Sequence, residues 1–113
     1  MKFKTLSSLT LLSVFAFATT TFAADGKELF EKNHCNMCHS VNSQKIESKH
    51  NKLDLSDIGK KHADADFYKK WLLKEVEDET PVKPGVKVKH QRPKWDGSDA
   101  DLTTLANWLA GLK

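Results

Sequence analysis

Cys35 and Cys38 are the only cysteines in the chain, and His39 follows the second directly in the stretch "CNMCH". Two thiols at that spacing can form a redox disulfide, supply half of a zinc site, or anchor a haem. A thioredoxin-like disulfide belongs in a strand–helix–strand context, and no alternating strand pattern flanks this pair. Zinc takes about four ligands, usually with a second close Cys or His pair, whereas His34, His50, His62 and His90 are single and scattered. The third chemistry is c-type haem attachment. Each thiol forms a thioether with a haem vinyl group, and that tether fixes where the iron lies, so the imidazole must follow at once. The motif predicts one haem c, bound covalently through Cys35 and Cys38, with His39 as its proximal ligand.

The chain's 113 residues suffice for one small domain. Its first 23 read as something else. Lys2 and Lys4 form a positive start, Leu6 to Ala18 is a mostly apolar run without charge, and Thr21-Phe22-Ala23 puts small residues at −3 and −1 of a cleavage point. That is the layout of a Sec-type secretory signal, and the run is short of the roughly 20 residues that span a bilayer. The reading predicts a signal peptide over 1–23, a haem-binding domain over 24–113, a periplasmic location and no stable membrane association. An uncleaved anchor is the alternative. The formal charge of +3 drops to +1 once Lys2 and Lys4 are removed, and no basic face or recognition motif points to nucleic acid. So short a domain buries a marginal core, and one close cysteine pair closes no useful loop. Another group must supply the missing core.

The elements that would position the motif are helical. Asp25 can cap a helix with Glu28 three residues on. Asp64 can cap a middle helix whose apolar face is Phe67, Tyr68, Trp71, Leu72 and Val76, before Pro81, Pro84 and Gly85 break it. Ser98 with Asp101 marks a last start, followed by Leu102, Leu105, Leu109 and Leu112 on one stripe. Residues 40–58 are polar and unperiodic, and read as a long loop.

Four stretches together, "GKELFEKNHCNMCH", "DIGKKHADADFYKKWLLKEV", "PGVKVKHQRPKWDG" and "SDADLTTLANWLAGLK", resemble class I cytochromes c over nearly all of residues 24–113. The resemblance implies an all-α fold in which the first and last helices cross, with Gly26 and Phe30 against Trp108 and Leu109. It also implies a middle helix and loops around the haem, with Trp71, Trp95 and Trp108 as candidate walls. Such proteins carry single electrons between larger redox partners.

The chain departs from the family at the distal ligand. The family's methionine raises the reduction potential, but Met1 lies in the signal and Met37 inside the haem motif. His90 stands in the place the family gives that methionine, after Pro84-Gly85 and before the last helix. Ligation by His39 and His90 is therefore expected, with His62, His50, Lys87, Lys89 or an open site as rivals. Arg92, the only arginine, could pair with a haem propionate, or be an ordinary surface arginine. The family also keeps a proline after the motif whose carbonyl orients the proximal imidazole; none occurs before Pro81, so another group must take that role.

These residues predict a monomeric one-electron carrier of low potential, not an enzyme, that docks weakly on larger redox proteins. A basic strip without acids, Lys83, Lys87, Lys89, Arg92 and Lys94, could steer an acidic partner or simply be a solvated loop. The alternative function is a haem protein that binds or senses CO, NO or O₂ at an open or displaceable sixth site.

Overall fold

The computed structural model describes residues 25–49 and 53–113. The expected signal peptide and His50 lie outside the described residues.

Each principal helix begins where the sequence supplies a cap. In α1 (Gly26–Lys32) the Asp25 carboxylate accepts the Glu28 N–H at 2.7 Å. In α3 (Ala65–Leu72) Asp64 accepts from Asp66 at 3.0 Å, and in α4 (Asp99–Ala110) Ser98 accepts from Asp101 at 3.1 Å. A shorter helix, α2 (Ile58–Lys61), precedes α3. α4 packs against α1, α2 and α3, burying Leu102, Leu105, Ala106 and Leu109 as its central stripe. Leu29 and Phe30 of α1 complete that core.

Two glycines set how closely these helices meet. A side chain at Gly26 would run into the Trp108 ring, so the expected crossing of α1 and α4 is found there. A side chain at Gly59 would strike the carbonyls of Ala110 and Leu112, and the Gly59 N–H donates to the Leu112 carbonyl at 2.6 Å.

The expectation of an all-α chain needs correction. Four helices carry the core, but the described residues also hold two small sheets. β1 (His39–Ser40) and β2 (Leu53–Asp54) pair in parallel, His39 opposite Leu53. β3 (Asp78–Thr80) and β4 (Lys83–Val88) form an antiparallel hairpin with an irregular register after Glu79. The 40–58 stretch is more than a loop: Val41 and Ile46 bridge to each other and are buried in the core. Val76 lies beyond α3, which ends at Leu72 with Lys74 turning left-handed at φ 59°.

Candidate functional site

Between the helices and the hairpin lies a cavity of about 560 Å³. Its lining includes Cys35, Cys38, His39, His90, Arg92 and Trp95, so all six candidate residues from the sequence meet in one place. The apolar wall comes from Phe30, Ile58, Trp71, Leu72, Leu105 and Leu109.

A turn of 3-10 helix, Cys35–Met37, presents the two thiols. It follows His34 in a left-handed conformation, φ 60°, and closes with the Cys38 N–H donating to the Cys35 carbonyl at 3.2 Å. Both cysteines are free. Burial pushes the Cys35 thiol up to about 11 despite the nearby Arg92 charge. A redox dithiol needs the opposite shift, toward thiolate. No group of three or more His, Cys, Asp or Glu suited to a metal ion occurs among the described residues.

His39 is oriented by its own strand pairing. Because β1 lies beside β2, the His39 Nδ1 sits 3.3 Å from the Leu53 carbonyl. A proton on Nδ1 donated to that carbonyl leaves Nε2 as the free nitrogen, the usual arrangement behind a ligating imidazole. This backbone carbonyl takes the role of the missing proline. Sequence reasoning could not find it, since a carbonyl has no residue signature. Burial, then the Arg92 charge, lower the His39 pKa against the Leu53 bond, a shift toward the neutral ring that metal ligation requires.

The His90 ring lies 6.5 Å from the His39 ring, centre to centre, with planes 24° apart. Two imidazoles that each reach one metal ion over about 2 Å hold their ring centres about 6 Å apart, so this pair fits an iron between them. His90 packs on Trp71, centre to centre 5.4 Å. Burial, then the charges of His39, Arg92 and Lys74, lower its pKa to about 4. Its Nδ1 is buried with no hydrogen-bond partner among the described residues.

The rivals fare differently. His62 also lines the cavity, but its Nε2 is 2.8 Å from the Asp78 carboxylate and its ring stacks on Phe67 at 3.7 Å. Lys87 and Lys89 are exposed and outside the lining. Arg92 has no carboxylate within ion-pair reach among the described residues, so its guanidinium is available to an anionic group in the cavity. Trp95 is fixed by its N–H to the Leu72 carbonyl at 2.9 Å and its indole Nε1 to the Ser98 carbonyl at 3.3 Å. Trp108 is a correction: it packs on Phe30 at the helix crossing, ring centres 5.4 Å apart, and does not wall the cavity. The sequence pattern missed Lys61 and Asp78, which also line it.

A cysteine pair, two imidazoles 6.5 Å apart and an apolar cavity between the helices fit covalent haem attachment. The family model for cytochrome c matches residues 23–113, and the chain belongs to the cytochrome c family. It is 29% identical over 105 residues to cytochrome c-552 of Nitrosomonas europaea (strain ATCC 19718 / CIP 103999 / KCTC 2705 / NBRC 14298), covering 87% of this chain and 88% of that protein. It is 31% identical over 105 residues to cytochrome c oxidase subunit 2 of Bacillus subtilis (strain 168), covering 85% of this chain but 28% of that much longer protein. No solved structure matches. Membership makes the chain a haem c electron carrier, and no helix among the described residues is long and apolar enough to cross a membrane.

Proposed function

We propose that this chain is a monomeric periplasmic electron carrier holding one haem c through Cys35 and Cys38, with His39 and His90 as axial ligands. The observation that supports it most directly is the pair of imidazoles 6.5 Å apart in the cavity that the two free cysteines line. Haem c supplies the one-electron ferric–ferrous couple when bound. The chain does the rest: the Leu53 carbonyl aims His39, Trp71 and Trp95 keep water from the slot, and Arg92 offers a bidentate donor to a propionate. With histidine in place of methionine, the potential should lie below that of a His/Met relative, which suits a low-potential respiratory chain. Residues 1–23 act as a Sec-type signal cleaved after Ala23.

The partner would be a larger redox protein, docking briefly. The exposed valines of the hairpin, Val82 at 61% and Val86 at 55%, sit among Lys83, Lys87 and Lys89. That mixture suits an apolar patch with an acidic rim.

The test is the visible and EPR spectrum of the purified holoprotein beside a His90→Ala variant. A low-spin wild type that becomes high-spin in the variant is expected. A wild type already high-spin would put the second reading, a gas-binding haem protein, in first place. One observation favours that second reading: the unpartnered His90 Nδ1 leaves the ring without the orienting bond that His39 has.

A further inference from the structure

His90 packs on Trp71 but has no hydrogen bond at Nδ1 among the described residues, so the chain on either side shares in setting its place. Downstream, the Trp95 N–H fastens the segment to the Leu72 carbonyl. Upstream lies the β3–β4 hairpin, whose residues 81–87 are all exposed. Among the described residues, every hydrogen bond and ion pair joining the hairpin to the helices comes from Lys61 or His62. The His62 Nε2 is 2.8 Å from the Asp78 carboxylate. The Lys61 ammonium is 3.1 Å from the same oxygen and donates to the Glu79 carbonyl at 3.0 Å. Asp78 stands opposite Val88 in the ladder, two residues before His90.

This grip is itself fixed to the core. The His62 ring stacks on Phe67, and the His62 carbonyl accepts the hydroxyl of Tyr68, which is buried in the core. The side chains of His62 and Asp78 are each 24% exposed, so solvent and salt screen them less than a surface pair.

We propose that the Lys61–His62 grip on Asp78 is the positioning device for the distal histidine. It holds the root of the hairpin, and through Val88 it sets how often His90 leaves its place opposite His39. The inference rests on the His39/His90 reading and assigns a control to it. His62 is then not a rival ligand but the residue that keeps the ligand in position.

The test uses the haem-loaded chain and two readouts: the CO association rate of the reduced form and the high-spin fraction of the ferric form. CO entry scales with the fraction of molecules whose distal side is open. Losing charge-assisted hydrogen bonds at Asp78→Ala or His62→Ala should raise both readouts about tenfold. His62→Gln, which keeps a donor of similar reach, should lie closer to wild type. In a His90→Ala background, Asp78→Ala should add nothing, because no ligand remains to be positioned. Ile46→Val, a core change remote from the hairpin, should leave both readouts near wild type.

Unchanged readouts in Asp78→Ala would overturn the proposal. So would an equal change in Ile46→Val, which would mean general loosening, or a further gain on His90→Ala. Equal rates in wild type and His90→Ala would remove the His39/His90 reading itself and the grip with it.

Discussion

The two sides of the cavity are built differently. His39 belongs to a short strand paired along its length, its Nδ1 set against the Leu53 carbonyl, and the next two residues, Ser40 and Val41, are buried. The loop behind it is tied by Asp54, whose carboxylate takes the Asn42 N–H at 3.0 Å and the Ser56 hydroxyl at 2.9 Å. His90 follows an exposed hairpin and has a ring nitrogen with no hydrogen-bond partner among the described residues. Local opening free energies in a protein run from near zero up to the global value. If His39 and His90 are the ligands as proposed, the proximal side would share the core's stability, while the distal side would open without unfolding the rest. Under the proposed His39/His90 ligation, that division would suit a haem that must stay attached and a ligand that must be tunable.

The largest test of this contrast is a core truncation. Phe30 is 1% exposed, packs on Trp108 and lines the cavity. Phe30→Ala should lower unfolding stability by about 3–5 kcal/mol in urea titration. Val86→Ala on the hairpin should change it by less than about 0.5 kcal/mol. Equal losses would mean that the hairpin is as much part of the core as α1, and the contrast would fall.

Gly59→Ala should come next. The added methyl meets two backbone carbonyls, of Ala110 and Leu112, which cannot swing aside as a flexible side chain could. Overpacking of this kind costs about 1–3 kcal/mol. The same titration checks it, and a neutral result would mean that α2 can shift away from the end of α4 freely.

The two sides also differ in how their carboxylates are held. Burial raises the Asp54 pKa, but donors from Asn42, Ser56 and Ser40 outweigh it and the net shift is downward. Burial likewise raises Asp78, and His62, Lys61 and its neighbouring N–H outweigh that. Both folded pKa values lie below the unfolded value of about 3.9, so each contribution is complete above it and lost as pH falls through the folded pKa. The ferric spectrum should therefore not respond to these two groups between about pH 5 and 7. Added salt should raise the Asp78 midpoint more than that of Asp54, because an ion pair to Lys61 is screened while hydrogen bonds from neutral donors are not. Carboxyl NMR titration at two salt concentrations checks this, and a larger salt shift at Asp54 would reverse the assignment.

What the sequence made legible was what nearby residues decide. Asp25, Asp64 and Ser98 cap helices because each side chain meets an N–H two or three residues on. The cysteines and His39 are joined by five consecutive positions. The stripe of α4 is a repeat within one element. The hairpin was hidden because Pro81, Pro84 and Gly85 read as breakers, although the chain on either side of the turn can still pair. Val41 and Ile46 were hidden in a polar stretch because two isolated apolar residues make no period. The engagement of His62 by Asp78 joins residues 16 apart, and no local rule connects them. Inventory, by contrast, acts at long range: it excluded a methionine ligand, the family pattern then pointed to His90, and the His90 ring lies 6.5 Å from the His39 ring.

The smallest expected effect concerns the distal side's outer face. Lys87 and Lys89 are exposed on and just after β4, on the strand that leads to His90. An exposed charge adds little to stability, so Lys87→Glu with Lys89→Glu should leave the urea midpoint nearly unchanged. Its effect should appear in encounter with an acidic partner, where charge complementarity raises association at low salt. Stopped-flow transfer to the native partner should slow at low ionic strength and converge with wild type as the Debye length shrinks to about 8 Å near 0.15 M salt. The same double change placed on α1, at Lys27 and Lys32, away from the hairpin, should leave the rate alone. If the α1 variant slows transfer as much as the hairpin variant, the partner does not choose between the two sides. The hairpin would then have no privileged part in electron exchange.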